Sequence, residues 1–114
     1  MRRLILAMLI WPGGAQADTW QVLDGPAIEQ ALSARVLGYD GGAMQNFFSD
    51  GRTLYEAGAG ESWGRWRVDG NQYCSVWPPS ESWACYGVEA LDGGLDIRFV
   101  AKDGALTVGR YNDL

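Results

Sequence analysis

Residues Ser62 to Glu89 read SWGRWRVDGNQYCSVWPPSESWACYGVE and hold four of the chain's six tryptophans and both of its cysteines. No other stretch restricts the fold as much, because a turn signal and a possible covalent link fall within one short ribbon. Asp69-Gly70 stands between alternating residues, a strong signal for a two-residue hairpin turn, since Gly tolerates positive φ and Asp does so unusually well. That turn would set Val68 opposite Asn71, Trp66 opposite Tyr73 and Gly64 opposite Ser75. A Cys74–Cys85 bridge would set Tyr73 opposite Tyr86 and Trp77 opposite Ser82, around Pro78 to Glu81. Side chains alternate between the two faces of a strand. One face then collects Gly64, Trp66, Val68, Tyr73, Trp77, Ala84, Tyr86 and Val88, a core set. The other collects Trp63, Arg65, Arg67, Gln72, Cys74, Val76, Trp83, Cys85 and Glu89.

Four further Asp-Gly pairs punctuate the chain, at Asp40-Gly41, Asp50-Gly51, Asp92-Gly93 and Asp103-Gly104. Treating each as a two-residue turn sets Leu37 opposite Met44 and Phe48 opposite Thr53, with Tyr55 on the same side as Thr53. It also sets Val88 opposite Ile97, Tyr86 opposite Phe99, Phe99 opposite Val108 and Ala101 opposite Leu106. Trp66, Tyr73, Tyr86, Ile97, Phe99 and Val108 then share one face. The expected strands are 35–39, 43–49, 52–57, 62–68, 71–77, 82–91, 94–101 and 105–111, with a flexible join at Gly58 to Glu61. Before them, Asp18 to Leu23 reads as an arm or edge strand. Asp24-Gly25-Pro26 then starts a short helix by capping and by proline in the first turn. Ile28, Ala31 and Leu32 give that helix one apolar side, and it ends near Ala34. The predicted class is mainly β (α+β). About eight antiparallel strands curl strongly or close into a small barrel, with one short N-terminal helix and one disulfide. The helix would plug one end or cover one side.

Arg2 and Arg3, the apolar run Leu4 to Trp11, the breaker Pro12 to Gly14 and the small residues Ala15-Gln16-Ala17 read as an export signal over residues 1–17. The apolar run is far below the roughly 20 residues that span a bilayer, so no membrane insertion is expected once the signal is cut. Residues 18–114 form one expected domain, periplasmic or secreted. Two cysteines in an oxidising compartment predict one bridge. Without Arg2 and Arg3, seven basic residues face fourteen acidic ones, a net charge of −7. That opposes nucleic acid and anionic membrane surfaces as partners. The chain has no histidine, which excludes His-based triads and His-ligated metals.

Gly64-Arg65-Trp66 with Cys74 resembles the opening of the small periplasmic β-barrel inhibitors of bacterial metalloproteases, over roughly a dozen residues. That resemblance implies a short barrel with a single disulfide. Cys85 follows sooner than that family's second cysteine, and only Asp18-Thr19-Trp20 stands where its inhibitory arm would be. Over most of the chain the layout is similar to a group of short exported proteins of alphaproteobacteria of unknown function. The shared pattern is a signal segment, a short helix, G-x-W, Tyr73-Cys74 and a second cysteine on the next strand. Some of that group carry a dihydrodipicolinate reductase label. No G-x-G-x-x-G here follows a strand and opens a helix, and the chain is too short for a cofactor half plus a substrate domain.

The functional expectation is a non-catalytic binding or interaction domain without a cofactor or metal. Its candidate patch is Trp63, Arg65, Arg67, Val76 and Trp83, directed toward a protein, a peptide or an envelope glycan. Aromatics with arginine are the residue types of interaction hot spots. Either the patch is exposed, or the helix or Trp20 covers it and the arginine stems pack there with their heads in water. The alternatives are protease inhibition and a small enzyme. For an enzyme, the carboxylates to consider are Glu56 with Glu61 and Asp92 with Asp96. A catalytic pair needs burial or a charged partner to separate the two pKa values, and these four residues lie at turns.

Overall fold

The structure, a computed structural model, describes residues 19–113. The expected export segment, 1–17, lies outside them. Among the described residues nine strands and one α-helix form in the order β1 (Trp20–Val22), α1 (Gly25–Leu32), β2 (Arg35–Tyr39), β3 (Met44–Phe47), β4 (Arg52–Ala57), β5 (Gly60–Asp69), β6 (Gln72–Val76), β7 (Ala84–Leu91), β8 (Asp96–Val100) and β9 (Leu106–Tyr111). Each strand from β2 to β9 pairs antiparallel with the next. β9 returns to β2, Leu37 opposite Tyr111 and Tyr39 opposite Gly109. The eight strands thus close into a barrel, which leaves none of them with an unpaired edge. β1 takes the place that β6 vacates beside β7, Trp20 opposite Leu91. The Asp18 to Leu23 stretch is therefore an edge strand from Trp20 on, rather than a free arm.

The helix closes one end. The Asp24 side chain accepts a hydrogen bond from Ala27 N–H at 3.0 Å, and Pro26 occupies the first turn. Asn71, at the tip of the β5–β6 hairpin, accepts one from Gly25 N–H at 2.8 Å. Ile28 and Leu32 reach zero exposure in a core with Leu37, Phe47, Trp66, Val88, Ile97 and Phe99. The Tyr111 hydroxyl donates to the Ala31 carbonyl at 2.6 Å, tying the last strand to the plug.

The cystine hairpin has the expected register: Tyr73 faces Tyr86 and Cys74 faces Cys85, with the disulfide formed. Elsewhere the Asp-Gly corners differ from two-residue turns centred on Asp and Gly. The β5–β6 turn is Gly70-Asn71, with Gly70 at φ 62°, so Asp69 faces Gln72, Val68 faces Tyr73 and Trp66 faces Ser75. The β7–β8 loop has four residues, and Val88 faces Phe99 rather than Ile97. Both slips are by two residues, so every side chain stays on its expected face.

Three corners instead hold three-residue loops. Backbone bonds from Tyr39 N–H to Ala43 O, Phe48 N–H to Arg52 O and Ala101 N–H to Ala105 O close them at 2.8–2.9 Å. An odd loop turns the next strand over. Leu37 faces Gln45 rather than Met44, and Phe47 rather than Phe48 faces Thr53. Phe47 is therefore core at 1% exposure. β3 is flipped against both neighbours at once, so β4 keeps its expected face. Phe99 faces Thr107 rather than Val108, and Val100 rather than Ala101 faces Leu106. Val108 lies outside the barrel, 42% exposed.

Candidate functional site

The end opposite the helix is open, and the barrel interior there forms a cavity of about 470 Å³. The strands deliver large rings to its walls. Tyr39 ends β2, Tyr55 sits late in β4, and Trp77 leaves β6, giving an arc with neighbouring ring centroids 6.3 Å apart. Tyr73 lies 6.0 Å from Tyr86 and 5.1 Å from Phe99 across the other side. Phe47 backs Tyr73 at 5.8 Å and Phe99 at 6.4 Å, so a plate of rings separates the cavity from the helical plug.

Two glycines make room for the arc. A Cβ on Gly64 would stand 2.6 Å from Trp77 Cε3 and 2.7 Å from the Val76 carbonyl oxygen. The Trp77 ring therefore lies over the β5 backbone, as the Gly of G-x-W permits. A Cβ on Gly109 would stand 3.0 Å from the Tyr39 ring. That contact depends on β9 being turned so that Gly109, and not Val108, faces in.

A polar network crosses the floor. Gln45 is 6% exposed. Its amide donates to the Thr53 hydroxyl at 3.0 Å and to the Tyr73 hydroxyl at 3.2 Å, and its carbonyl accepts from the Tyr39 hydroxyl at 2.8 Å. Thr53 passes its own proton to the Asn46 carbonyl at 2.7 Å. Ser75 Oγ accepts from the Trp77 indole at 3.2 Å. Burial raises the Tyr39 pKa far above the usual phenol value, and neighbouring Tyr73 and Tyr55 add to the shift. Burial also raises that of Tyr73, partly offset by its bonds to Ser75 and Gln45. Both hydroxyls stay protonated through the neutral range. Among the described residues, no Asp, Glu, Lys or Arg lines the cavity wall.

The patch expected on the outer face divides in two. Trp63 is 48% exposed and pairs with Leu54 of β4, while the residue of β5 opposite Val76 is Arg65. Trp63 instead stacks on Phe48 at 5.8 Å and 22°, with the Arg52 guanidinium over both rings. The second part centres on the disulfide. Arg67, paired with Cys74, places its guanidinium 4.0 Å above the half-buried Trp83 ring. Val76 is buried at 6% and Cys74 at 0%, while Arg65 and Arg67 are exposed. The helix plugs the barrel and covers neither part. Trp20 lies under Arg98, itself bonded to Glu89 at 2.7 Å.

Glu56 and Glu61 face each other across β4 and β5 on the side of Trp63, and Asp96 binds Arg110 at 2.7 Å. Neither carboxylate pair lines the cavity. Among the described residues, no three His, Cys, Asp or Glu side chains stand close enough together to hold a metal ion. Treating Tyr73, Tyr86 and Trp77 simply as core concealed the cavity, and Gln45 was missed with β3 turned over. Bulky polar-tipped rings at the same end of successive strands were the available signal. No family model, curated protein or solved structure matches the chain.

Proposed function

We propose that this chain is a non-catalytic binding domain, periplasmic or secreted, that holds a small molecule in the open end of its barrel. One observation carries the reading: a cavity of about 470 Å³ walled by aromatic rings, with a buried, hydrogen-bonded glutamine at its floor. Ligand sites are concave, mostly apolar and typically about 300–1,000 Å³, with a few placed polar groups. A barrel interior built only for stability would be filled by side chains. The Cys74–Cys85 disulfide is compatible with an oxidising compartment and agrees with an export segment at residues 1–17. Trp20 is already paired into the sheet beside β7, which favours the cavity over an inhibitory arm as the binding element.

The test is native mass spectrometry after incubation with small molecules extracted from a bacterial envelope. Wild type should carry an adduct of a few hundred daltons. Thr107→Trp, at the exposed rim, should lack it while melting at the same temperature. An adduct retained by the variant, or absent from both, removes the reading.

A second reading rests on the exposed Trp63 ring stacked on Phe48 beneath Arg52. This outer cluster would contact a protein or peptide partner. Trp63→Ala should then abolish partner capture without affecting the small-molecule adduct.

A further inference from the structure

The cavity's chemistry narrows its ligand, given the reading that the cavity is the site. No charged side chain among the described residues lines it. A charged ligand would give up its hydration there without an opposite charge to meet, which disfavours it. A saccharide carries a hydroxyl on most of its carbons, and each needs a partner once buried. The buried floor offers one amide whose two N–H groups are already given to Thr53 and Tyr73, and the Tyr55, Ser62, Tyr86 and Thr107 hydroxyls that also line the cavity belong to half-buried or exposed residues nearer the mouth. A long acyl chain finds no depth, since the Phe47, Tyr73 and Phe99 rings close the interior. What the walls do offer is ring faces and edges, which add to area burial when another ring packs against them. What the floor offers is one acceptor site. The Gln45 carbonyl takes a single bond from Tyr39, and a carbonyl oxygen has two lone pairs.

We infer that the barrel mouth takes an uncharged aromatic molecule with one hydrogen-bond donor, its rings against Tyr55, Trp77 and Tyr86 and its donor toward Gln45 Oε1. The donor requirement makes the floor a reader of the ligand's polar edge. The absence of charge makes the walls a filter against its anionic and cationic relatives.

A matched probe pair separates these features. Phenylnaphthylamine is a neutral molecule, a phenyl ring and a naphthalene joined through one N–H. Anilinonaphthalene sulfonate is the same skeleton with a fixed negative charge. Each is titrated by fluorescence into wild type, Thr107→Trp and Ser62→Trp, the last two placing an indole at the rim from separate strands. Cellobiose is added as competitor. The expected result is saturable one-to-one binding of phenylnaphthylamine, at least about tenfold tighter than the sulfonate. Either rim variant should weaken it by a similar factor, and cellobiose should leave it unchanged. Equal affinity for the sulfonate, with both probes blocked by the rim variants, overturns the uncharged ligand class and leaves the cavity as the site. Displacement by cellobiose overturns the aromatic class and likewise leaves the cavity as the site. No saturable binding of phenylnaphthylamine overturns the aromatic class, while the envelope-extract adduct still decides the site. Binding that neither rim variant weakens places the probe elsewhere and overturns both readings.

Discussion

The two ends of this barrel are built from the same strands but have opposite chemistry. At the helical end the inward positions are aliphatic or aromatic, Trp66 gives its one N–H to the Phe48 carbonyl, and Ile28 and Leu32 complete a dry core at zero exposure. At the open end the inward positions are tyrosine, tryptophan, glutamine, serine and threonine, and space remains between them. One end is closed by a segment the chain supplies itself. The other has rings, hydroxyls and an amide fixed in place by one another, with nothing from the described chain over them. The difference teaches that aromatic content alone does not separate core from site in a small barrel. The polar atoms at the ring tips do, together with the glycines that let rings lie across strands.

The largest contrast should come from truncation. Leu32→Ala at the plug should cost about 2–5 kcal/mol, the range for emptying a packed core position, read as a fall in the denaturation midpoint. Tyr86→Phe at the mouth should change stability by less than about 0.5 kcal/mol. Comparable losses at the two ends would erase the distinction.

Next is Gly64→Ala. The added methyl meets both the Trp77 ring and the Val76 carbonyl oxygen. It should cost about 1–3 kcal/mol, as overpacking does, and move Trp77 out of the cavity wall. Ligand affinity should fall with it, and the same change at exposed Gly60 should do neither.

Alkaline stability should be set largely by the mouth. Burial raises the pKa of Tyr39 and Tyr73, and at the plugged end that of Tyr111, above the ordinary 10.0. Their protons leave the unfolded chain first. The contribution is full below pH 10.0 and is lost as pH rises through the raised folded values. The melting temperature should therefore drop above pH 10.0, and Tyr39→Phe should make the drop shallower. A melting temperature flat to higher pH would contradict this.

The smallest effect sits where the plug hands over to β2. Ala34 has φ 63°, a left-handed conformation that costs a residue with a Cβ about 1–2 kcal/mol. Part of that gain is offset in a glycine variant by its freer unfolded chain. Ala34→Gly should therefore raise stability by about 0.5–1 kcal/mol, measured by denaturant titration.

How much of this was legible depended on what pinned each strand. Cys74 and Cys85 anchor their hairpin covalently, and its register followed. The helix followed from Asp24, Pro26 and the Ile28–Leu32 stripe. β3 and β9 had only Asp-Gly corners to place them. Asp-Gly is compatible with loops of two, three or four residues, and an odd count exchanges inside for outside. Phe47 and Phe48 illustrate the ambiguity: adjacent, identical in type, and separated only by loop length into core ring and outer ring. The cavity lay a step further off, because it exists only once β9 closes on β2 and brings Tyr39 over Gly109.

The most direct test of the open end as the binding site is the set of tryptophan indole N–H signals during titration with phenylnaphthylamine. Trp77, on the cavity wall, should shift to saturation, while Trp63 and Trp83 outside the barrel stay in place. Movement of Trp63 or Trp83 with Trp77 unmoved would return the binding site to the outer face and contradict the account.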